Sequence, residues 1–492
     1  MQQKETSKLF LAFLSGLVFS FGFAPFKFWF LIIGSIGVLF YLICTCNQNW
    51  GSFRIGFCFG IGQFGAGISW VYVSMVNHGN TSEILALILT TGFVSGLSLF
   101  PANICLLFNN YTFLCKTSIE KAFFFCSLWI TGDALRSWLF TGFPWLLTGT
   151  GSIESPLAGF LPIIGSFGVG YQFSLVGAMT VVFFKSRSFS PLFLITLFFV
   201  IGYLIKDIEY TTPFEQPLKL GLWQPAIVQK TKWSPDSLDG IIENHFKRGL
   251  PTEVDIIVWP ETALPMTDTY AKNYLSHLNA ILKNNNQTLF TGILGDLNGN
   301  FSNRILAFGS GSGTYDKKRL VPFGEFVPFE SKIRGLISFF NLPMSKIIKG
   351  PMSEELIHEN IEFAPLICYE IAFSGLARKN LKKSHAIITI SNDTWFGGSI
   401  GPAQHLEIAQ IRARELGRPI IRVTNDGITA TIDKFGRISD SIPPFAPGLL
   451  ITQIQPETGT TPYTKWGEGP LLIWIIVSVL ILRVRKSYRN RF

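Results

Sequence analysis

Cys368 closes an apolar run, EFAPLICYEIAF at 362–373, and is followed at once by Tyr369 and Glu370. A buried strand that ends in a thiol and a carboxylate presents a nucleophile at the lip of a site, because the thiolate is the reactive form of cysteine. The alternative is a small cysteine packed in a core strand. Two other segments bring titratable groups to comparable places. In VDIIVWPETALP a strand stops at Pro260, which cannot continue the ladder, and Glu261 is left at its C-terminal edge. Such edges are where α/β proteins keep their chemistry. In GTYDKKRLVPFGEFVPFE a polar run carrying Lys317 passes into an aromatic loop framed by Pro322, Gly324 and Pro328, with Glu325 inside it. Taken singly, Glu261 reads as a solvated turn carboxylate and Lys317 as a surface lysine.

These residues need strands to hold them. β-rich runs lie at 218–224, 255–259, 288–294, 304–309, 364–368, 386–391, 419–424, 430–433 and 449–454. Helical patterns lie at 237–248, 271–284 and 402–416, the last with Pro402 at its start and Gly417 just past its end. Apolar strands alternating with helices imply an α/β sandwich whose sheets are covered on both faces.

That domain is only part of the chain. Of 492 residues, 48% are hydrophobic and 15% charged, with 47 Phe, a balance that implies membrane spans. Eight apolar stretches approach the length of a span, at 9–24, 28–44, 55–75, 84–108, 122–139, 157–184, 193–205 and 470–482. Charge divides the chain into 1–205 with seven spans, a water-soluble domain at 206–468, and 469–492 with a last span and a basic tail. With the N-terminus inside, the inner loops hold Arg54, Lys116, Lys121, Lys185 and Arg187, and the tail returns inside with Arg483, Arg485, Lys486, Arg489 and Arg491. The net charge of +9 therefore reads as topology, not as nucleic-acid binding, and places the soluble domain outside the cytoplasm. Asp133 and Arg136 share a helix face inside a span, as a functional site or a structural pair.

Six of the seven cysteines lie in the membrane half, so Cys368 has no partner for a disulfide within its own domain. A lone thiol in an oxidising space is buried or used. No Cys/His cluster has zinc spacing, and neither a metal nor another cofactor is expected.

The three signals, in this order, resemble the nitrilase or carbon-nitrogen hydrolase superfamily. With the membrane half included, the chain resembles the apolipoprotein N-acyltransferase family through WPETALP, YDKKRLVPFGEFVP, ICYEIAF, SNDTWFGGSIGPAQH and ELGRPIIRVTNDG. The resemblance covers essentially the whole chain. It implies a bundle of about eight helices, with a nitrilase-like α-β-β-α domain inserted before the last one. It matches Glu261 to a general base, Lys317 to an electrostatic stabiliser and Cys368 to the nucleophile. Glu325, Tyr369 and Glu370 match further needed positions, and Trp233 a loop tryptophan linked to substrate handling. The implied reaction carries an acyl chain from a phospholipid to the α-amino group of a diacylglyceryl-cysteine lipoprotein, through a thioester. The implied setting is a bacterial inner membrane, both termini cytoplasmic, the catalytic domain periplasmic. A monomer fits; oligomeric state is otherwise open. Three alternatives stand beside it: a membrane-tethered amidase or nitrilase with water as acceptor, a nucleophile pair of Cys368 with His405, and a multispan transporter with an extracytoplasmic binding domain.

Overall fold

In the computed structural model, residues 2–79, 81–326 and 347–478 are described. The chain forms two compact units, one of Met1–Tyr72, Ser82–Ile208 and Thr461–Phe492, the other of Val73–Thr81 and Glu209–Thr460.

The first unit is helical. Among the described residues, two helices, Glu83–Leu114 and Pro156–Ser186, are long and apolar enough to cross a membrane, and Asn49–Gly67 with Trp70–His78 makes a third if the pair, bent by 50°, is one span. The remaining expected spans differ for physical reasons. Trp29–Cys44 and Phe189–Leu204 have 16 residues each, about 24 Å of helix against a hydrocarbon core of about 30 Å. Gln2–Ser20 and Ser118–Arg136 are long enough but carry charged side chains. The final helix is described only as Gly469–Ser478; residues 479–482 and the basic tail lie outside the described residues.

Close backbone approach organises this unit. A Cβ on Gly16 would stand 1.9 Å from the Phe59 carbonyl oxygen, and one on Gly62 would stand 2.1 Å from that of Phe13. Only glycine permits that contact between Gln2–Ser20 and Asn49–Gly67. The Asp133–Arg136 pair is a brace. Asp133 accepts from Arg136 Nη2 at 2.9 Å and from the Thr148 N–H and hydroxyl at 3.0 and 2.8 Å. Arg136 donates to the carbonyls of Phe143 (3.0 Å), Trp145 and Leu146 (3.3 Å). The two charges fasten the aromatic loop that follows their helix.

The second unit is a two-sheet sandwich. One sheet has six strands in the order Gly448–Ile454, Leu218–Gln224, Ile256–Val258, Thr288–Leu297, Asn300–Gly309, Thr314–Asp316. The other has seven, in the order Ile438–Ile442, Thr429–Ile432, Ile420–Thr424, Ala386–Ser391, Ile361–Ile367, Leu356–His358, Gly311–Ser312. Alternation along the strands builds two layers. Ile256, Val258 and Phe290 point into one core with Ile367, Ile388 and Val423 of the facing sheet. Ile257 and Leu289 point the other way, onto Leu275, Leu278 and Leu282 of the helix Lys272–Asn284. On the second sheet's side lies the helix Gly401–Leu416, with Pro in its first turn and Gly417 at φ +61° after its end. Ile256–Val258 runs parallel to both neighbours, as does Ala386–Ser391. Their C-terminal ends therefore gather at one edge.

The strand expected at 364–368 is Ile361–Ile367, and Cys368 falls outside it, at φ +54°, as the first residue of a 3-10 turn, Cys368–Ala372. The strand expected at 304–309 starts earlier, at Asn300, because Asn298 (φ +57°) and Gly299 (φ +90°) form a tight hairpin with Thr288–Leu297.

Candidate active site

Glu261, Lys317 and Cys368 come from three strand ends. Glu261 lies just beyond Ile256–Val258, and Thr262 after it has φ +46°. Its carboxylate accepts from Lys317 Nζ at 3.2 Å, from Asn303 Nδ2, and from the main-chain N–H of Asn392 at 2.7 Å. Lys317 follows Thr314–Asp316, and its N–H donates to the Asn303 carbonyl at 2.8 Å. That bond turns the side chain inward, where Nζ also donates to Glu325 Oε1 at 2.8 Å. Lys317 is 1% exposed. Burial alone would lower its pKa, but the charges of Glu261, Glu325 and Cys368 carry it well above the ordinary lysine range.

Cys368 is partly buried, within electrostatic reach of Glu261, Lys317 and Asp393, and its sulfur is hydrogen-bonded by Ser391. Burial, and then Glu261, push its thiol far above the usual value, against the pull of Lys317. The resting sulfur is protonated. A carboxylate, an ammonium and a thiol in mutual reach can move a proton off sulfur and steady an oxyanion.

Glu325 is bound at both oxygens. Oε1 takes Lys317 and Asn303 Nδ2 (3.3 Å), and Oε2 takes the Val321 N–H at 2.8 Å. Its loop is pinned by Phe323 N–H to the Phe326 carbonyl at 2.7 Å; the loop beyond residue 326 lies outside the described residues. Glu370 is wholly buried and touches the triad only through the backbone. Oε1 accepts from the N–H groups of Lys318 (2.6 Å) and Arg319 (3.0 Å), Oε2 from Tyr315 Oη (2.9 Å) and the Ile367 N–H (2.8 Å). It thereby ties the lysine segment to the cysteine elbow. Tyr369 stands edge-on to Phe373, ring centroids 5.1 Å apart. Trp233 ends the turn Gln229–Lys232 and reaches Glu261 through its neighbour, since Lys232 Nζ donates to the Glu261 carbonyl at 3.0 Å.

His405 meets the cysteine at its backbone. Nε2 lies 3.2 Å from the Cys368 carbonyl oxygen, while Nδ1 lies 3.0 Å from Asp393 Oδ1 and 3.1 Å from Arg422 Nη2, which also donates to Asp393 Oδ2 at 2.6 Å. Burial and then Arg422 lower the imidazole pKa, against the pull of Asp393 and the Cys368 carbonyl. The ring links the Cys368 backbone to Asp393 and Arg422 and is placed as a brace for Cys368.

Asn303 was not visible as a site residue in the sequence. It lies mid-strand in Asn300–Gly309, opposite Leu294, and its side chain spans Glu261 and Glu325. A buried polar residue interrupting a strand was the available signal. Among the described residues, no group of three or more His, Cys, Asp or Glu could hold a metal ion.

Residues 15–179 match the family model described as apolipoprotein N-acyltransferase N-terminal domain, and residues 219–463 match that for carbon-nitrogen hydrolase. The apolipoprotein N-acyltransferase of Pseudomonas syringae pv. tomato is 37% identical over 493 residues, 97% of each chain. That of Photobacterium profundum is 37% identical over 505 residues, 98% of this chain and 96% of its own. Among solved structures, an amidase from Nesterenkonia sp. is 14% identical, covering 53% of this chain and 97% of its own, with a TM-score of 0.35. The chain belongs to the apolipoprotein N-acyltransferase family.

Proposed function

We propose that this protein moves an acyl chain from a phospholipid to the free α-amino group of a lipoprotein's diacylglyceryl-cysteine, through a thioester on Cys368. The observation that carries the reading is the buried Lys317 ammonium, shared by Glu261 and Glu325 and within electrostatic reach of the Cys368 thiol. Glu261 takes the thiol proton as the sulfur attacks the ester carbonyl. Lys317 stabilises the oxyanion. The C–O bond then breaks, the proton passes from Glu261 to the departing lysophospholipid oxygen, and the thioester remains. In the second half the acceptor amine attacks the thioester, Glu261 takes its proton, and the thiolate leaves and is reprotonated. Two sequential half-reactions give ping-pong kinetics. Glu325 and Asn303 aim Lys317, Glu370 fixes its backbone, and Tyr369 and Trp233 line the approach. No step calls for a metal or cofactor.

Both substrates are lipids, and exposing an acyl chain to water costs about 0.8 kcal/mol per CH₂. This accounts for a catalytic unit on the same chain as helices able to cross a membrane. We place eight spans in the bacterial inner membrane. Residues 1–205 carry seven, 206–468 the periplasmic catalytic domain, and 469–492 the last span and cytoplasmic tail.

Mass spectrometry of the purified protein mixed with phospholipid tests the donor half-reaction. One acyl mass on Cys368, absent in Cys368→Ser, is expected. Hydrolysis of soluble amides with no lipid-derived adduct would instead establish the amidase reading.

A further inference from the structure

A second buried lysine stands behind Glu261. Lys232 is 1% exposed and closes the one-turn helix Gln229–Lys232. Its Nζ holds the Glu261 main-chain carbonyl at 3.0 Å. The first residue of the same turn reaches Glu261 from the other side. Gln229 Oε1 accepts from Asn392 Nδ2 at 2.9 Å, and the Asn392 N–H donates to Glu261 Oε2 at 2.7 Å. One helical turn thus registers both the carbonyl and the carboxylate of Glu261. The peptide it grips leads into Thr262, a β-branched residue at φ +46°, a conformation that persists only when its surroundings enforce it. Trp233 follows directly, its Nε1 buried without a hydrogen-bond partner among the described residues.

We propose that Lys232 is a positioning residue for Glu261, and that it couples the turn carrying Trp233, where lipid substrates are handled, to the aim of the carboxylate. This rests on the reading of Glu261 as the base. A buried lysine with one main-chain acceptor is a costly way to hold a turn. It is an effective way to hold a peptide, because a charged donor makes the stronger bond.

The groups facing Lys232 are Glu261, Asp426 and His245. Burial brings the Lys232 pKa down to about 8, opposed by Glu261 and Asp426. Burial pushes Asp426 up to about 6 and His245 down to about 4. Above neutral pH, Asp426 is already ionised and His245 already neutral, so of these three groups with printed shifts Lys232 alone changes charge. Below about 8 the ammonium grips the carbonyl; above it the neutral amine grips less.

The test is the rate of acyl-enzyme formation on Cys368, by mass spectrometry, for the full-length protein in mixed micelles of detergent and phosphatidylethanolamine. It is run from about pH 6.5 to about 9.5, on either side of the shifted value. The wild-type rate should fall as pH rises through about 8. Lys232→Met should be about tenfold slower or more throughout, through a misaimed base. It should lack the alkaline fall, and its KM for phospholipid should be unchanged. Lys232→Arg, charged at every pH used, should recover much of the rate and also lack the fall. A Lys232→Met enzyme with the wild-type rate and profile overturns the proposal, as does a Lys232→Arg enzyme that still loses activity near pH 8. If Lys232→Met does not fold, the wild-type and Lys232→Arg profiles decide. Glu261→Gln separates the two layers: retained acylation in that variant defeats the base assignment itself, whereas its loss beside a normal Lys232→Met defeats only the role of Lys232.

Discussion

Glu370 touches neither the sulfur nor Glu261, yet its removal should disable the site. Its two oxygens receive four hydrogen bonds, from the N–H groups of Lys318, Arg319 and Ile367 and from the Tyr315 hydroxyl. In Glu370→Gln one oxygen becomes an NH₂ group. If that group faces Lys318 and Arg319, two N–H donors lose their acceptor. If it faces Tyr315 and Ile367, the hydroxyl can turn to accept and only the Ile367 N–H is stranded. The second orientation wins, and a stranded buried donor costs about 1–3 kcal/mol. Glu370→Ala strands all three N–H groups, which by the same figure costs about 3–9 kcal/mol. Because Lys318 directly follows Lys317, the lysine segment loses its anchor to the elbow. A shift of about 1 Å at a reacting group lowers the rate about 10²-fold. The assay pairs the thermal midpoint of the full-length protein in detergent, by tryptophan fluorescence, with the rate of Cys368 acylation. Glu370→Gln should lower both modestly and Glu370→Ala both severely. A Glu370→Ala protein with wild-type midpoint and rate would refute the reasoning.

Three further outcomes follow from the same geometry. Alkylation of Cys368 by iodoacetamide should reach half-maximal rate at lower pH in Glu261→Gln, which removes a charge that raises the thiol pKa, and at higher pH in Lys317→Met, which removes one that lowers it; equal midpoints would contradict the charge arrangement. His405→Gln keeps a donor for the Cys368 carbonyl and should acylate within a few-fold of wild type, while His405→Leu strands that carbonyl and loses about 1–3 kcal/mol of stability; complete inactivity of a folded His405→Gln would restore the cysteine–histidine pairing. Arg136→Met removes the cationic partner of Asp133 and frees three carbonyls, so the thermal midpoint should fall by an amount equivalent to about 3–5 kcal/mol, with Asp133→Asn less harmful.

What could be read from the sequence was what local pattern controls. The strand Leu218–Gln224 places leucine at 218, 220 and 222, Ala386–Ser391 is an apolar and β-branched run closed by serine, and Gly401–Leu416 is delimited by Pro402 and Gly417. Glu261 stood out because Pro260 ends its strand, and Cys368 because an apolar run ends on it. What could not be read depends on pairing between distant segments. Asn303 acquires its place from a register in which Arg304 lies opposite Asp316, so that Lys317 is delivered beside it. Lys232 looks like any lysine of a polar turn until the fold buries it. The Asn298–Gly299 hairpin signal is present in the sequence, and it carries the strand holding Asn303 back to Asn300. The left-handed backbone of Cys368 leaves no local mark, since cysteine is not a residue that favours it.

The sharing of one ammonium by two carboxylates also bears on how the sulfur survives between turnovers. Glu261, Lys317 and Glu325 together carry a formal charge of −1. A free thiolate would add a second negative charge in a poorly hydrated place, so ionisation of Cys368 is tied to neutralisation of Glu261. Thiolates react with peroxides and disulfides far faster than thiols do. An enzyme built this way keeps its nucleophile unarmed when no ester is present, and should lose activity to hydrogen peroxide slowly when empty and faster when substrate draws the proton away.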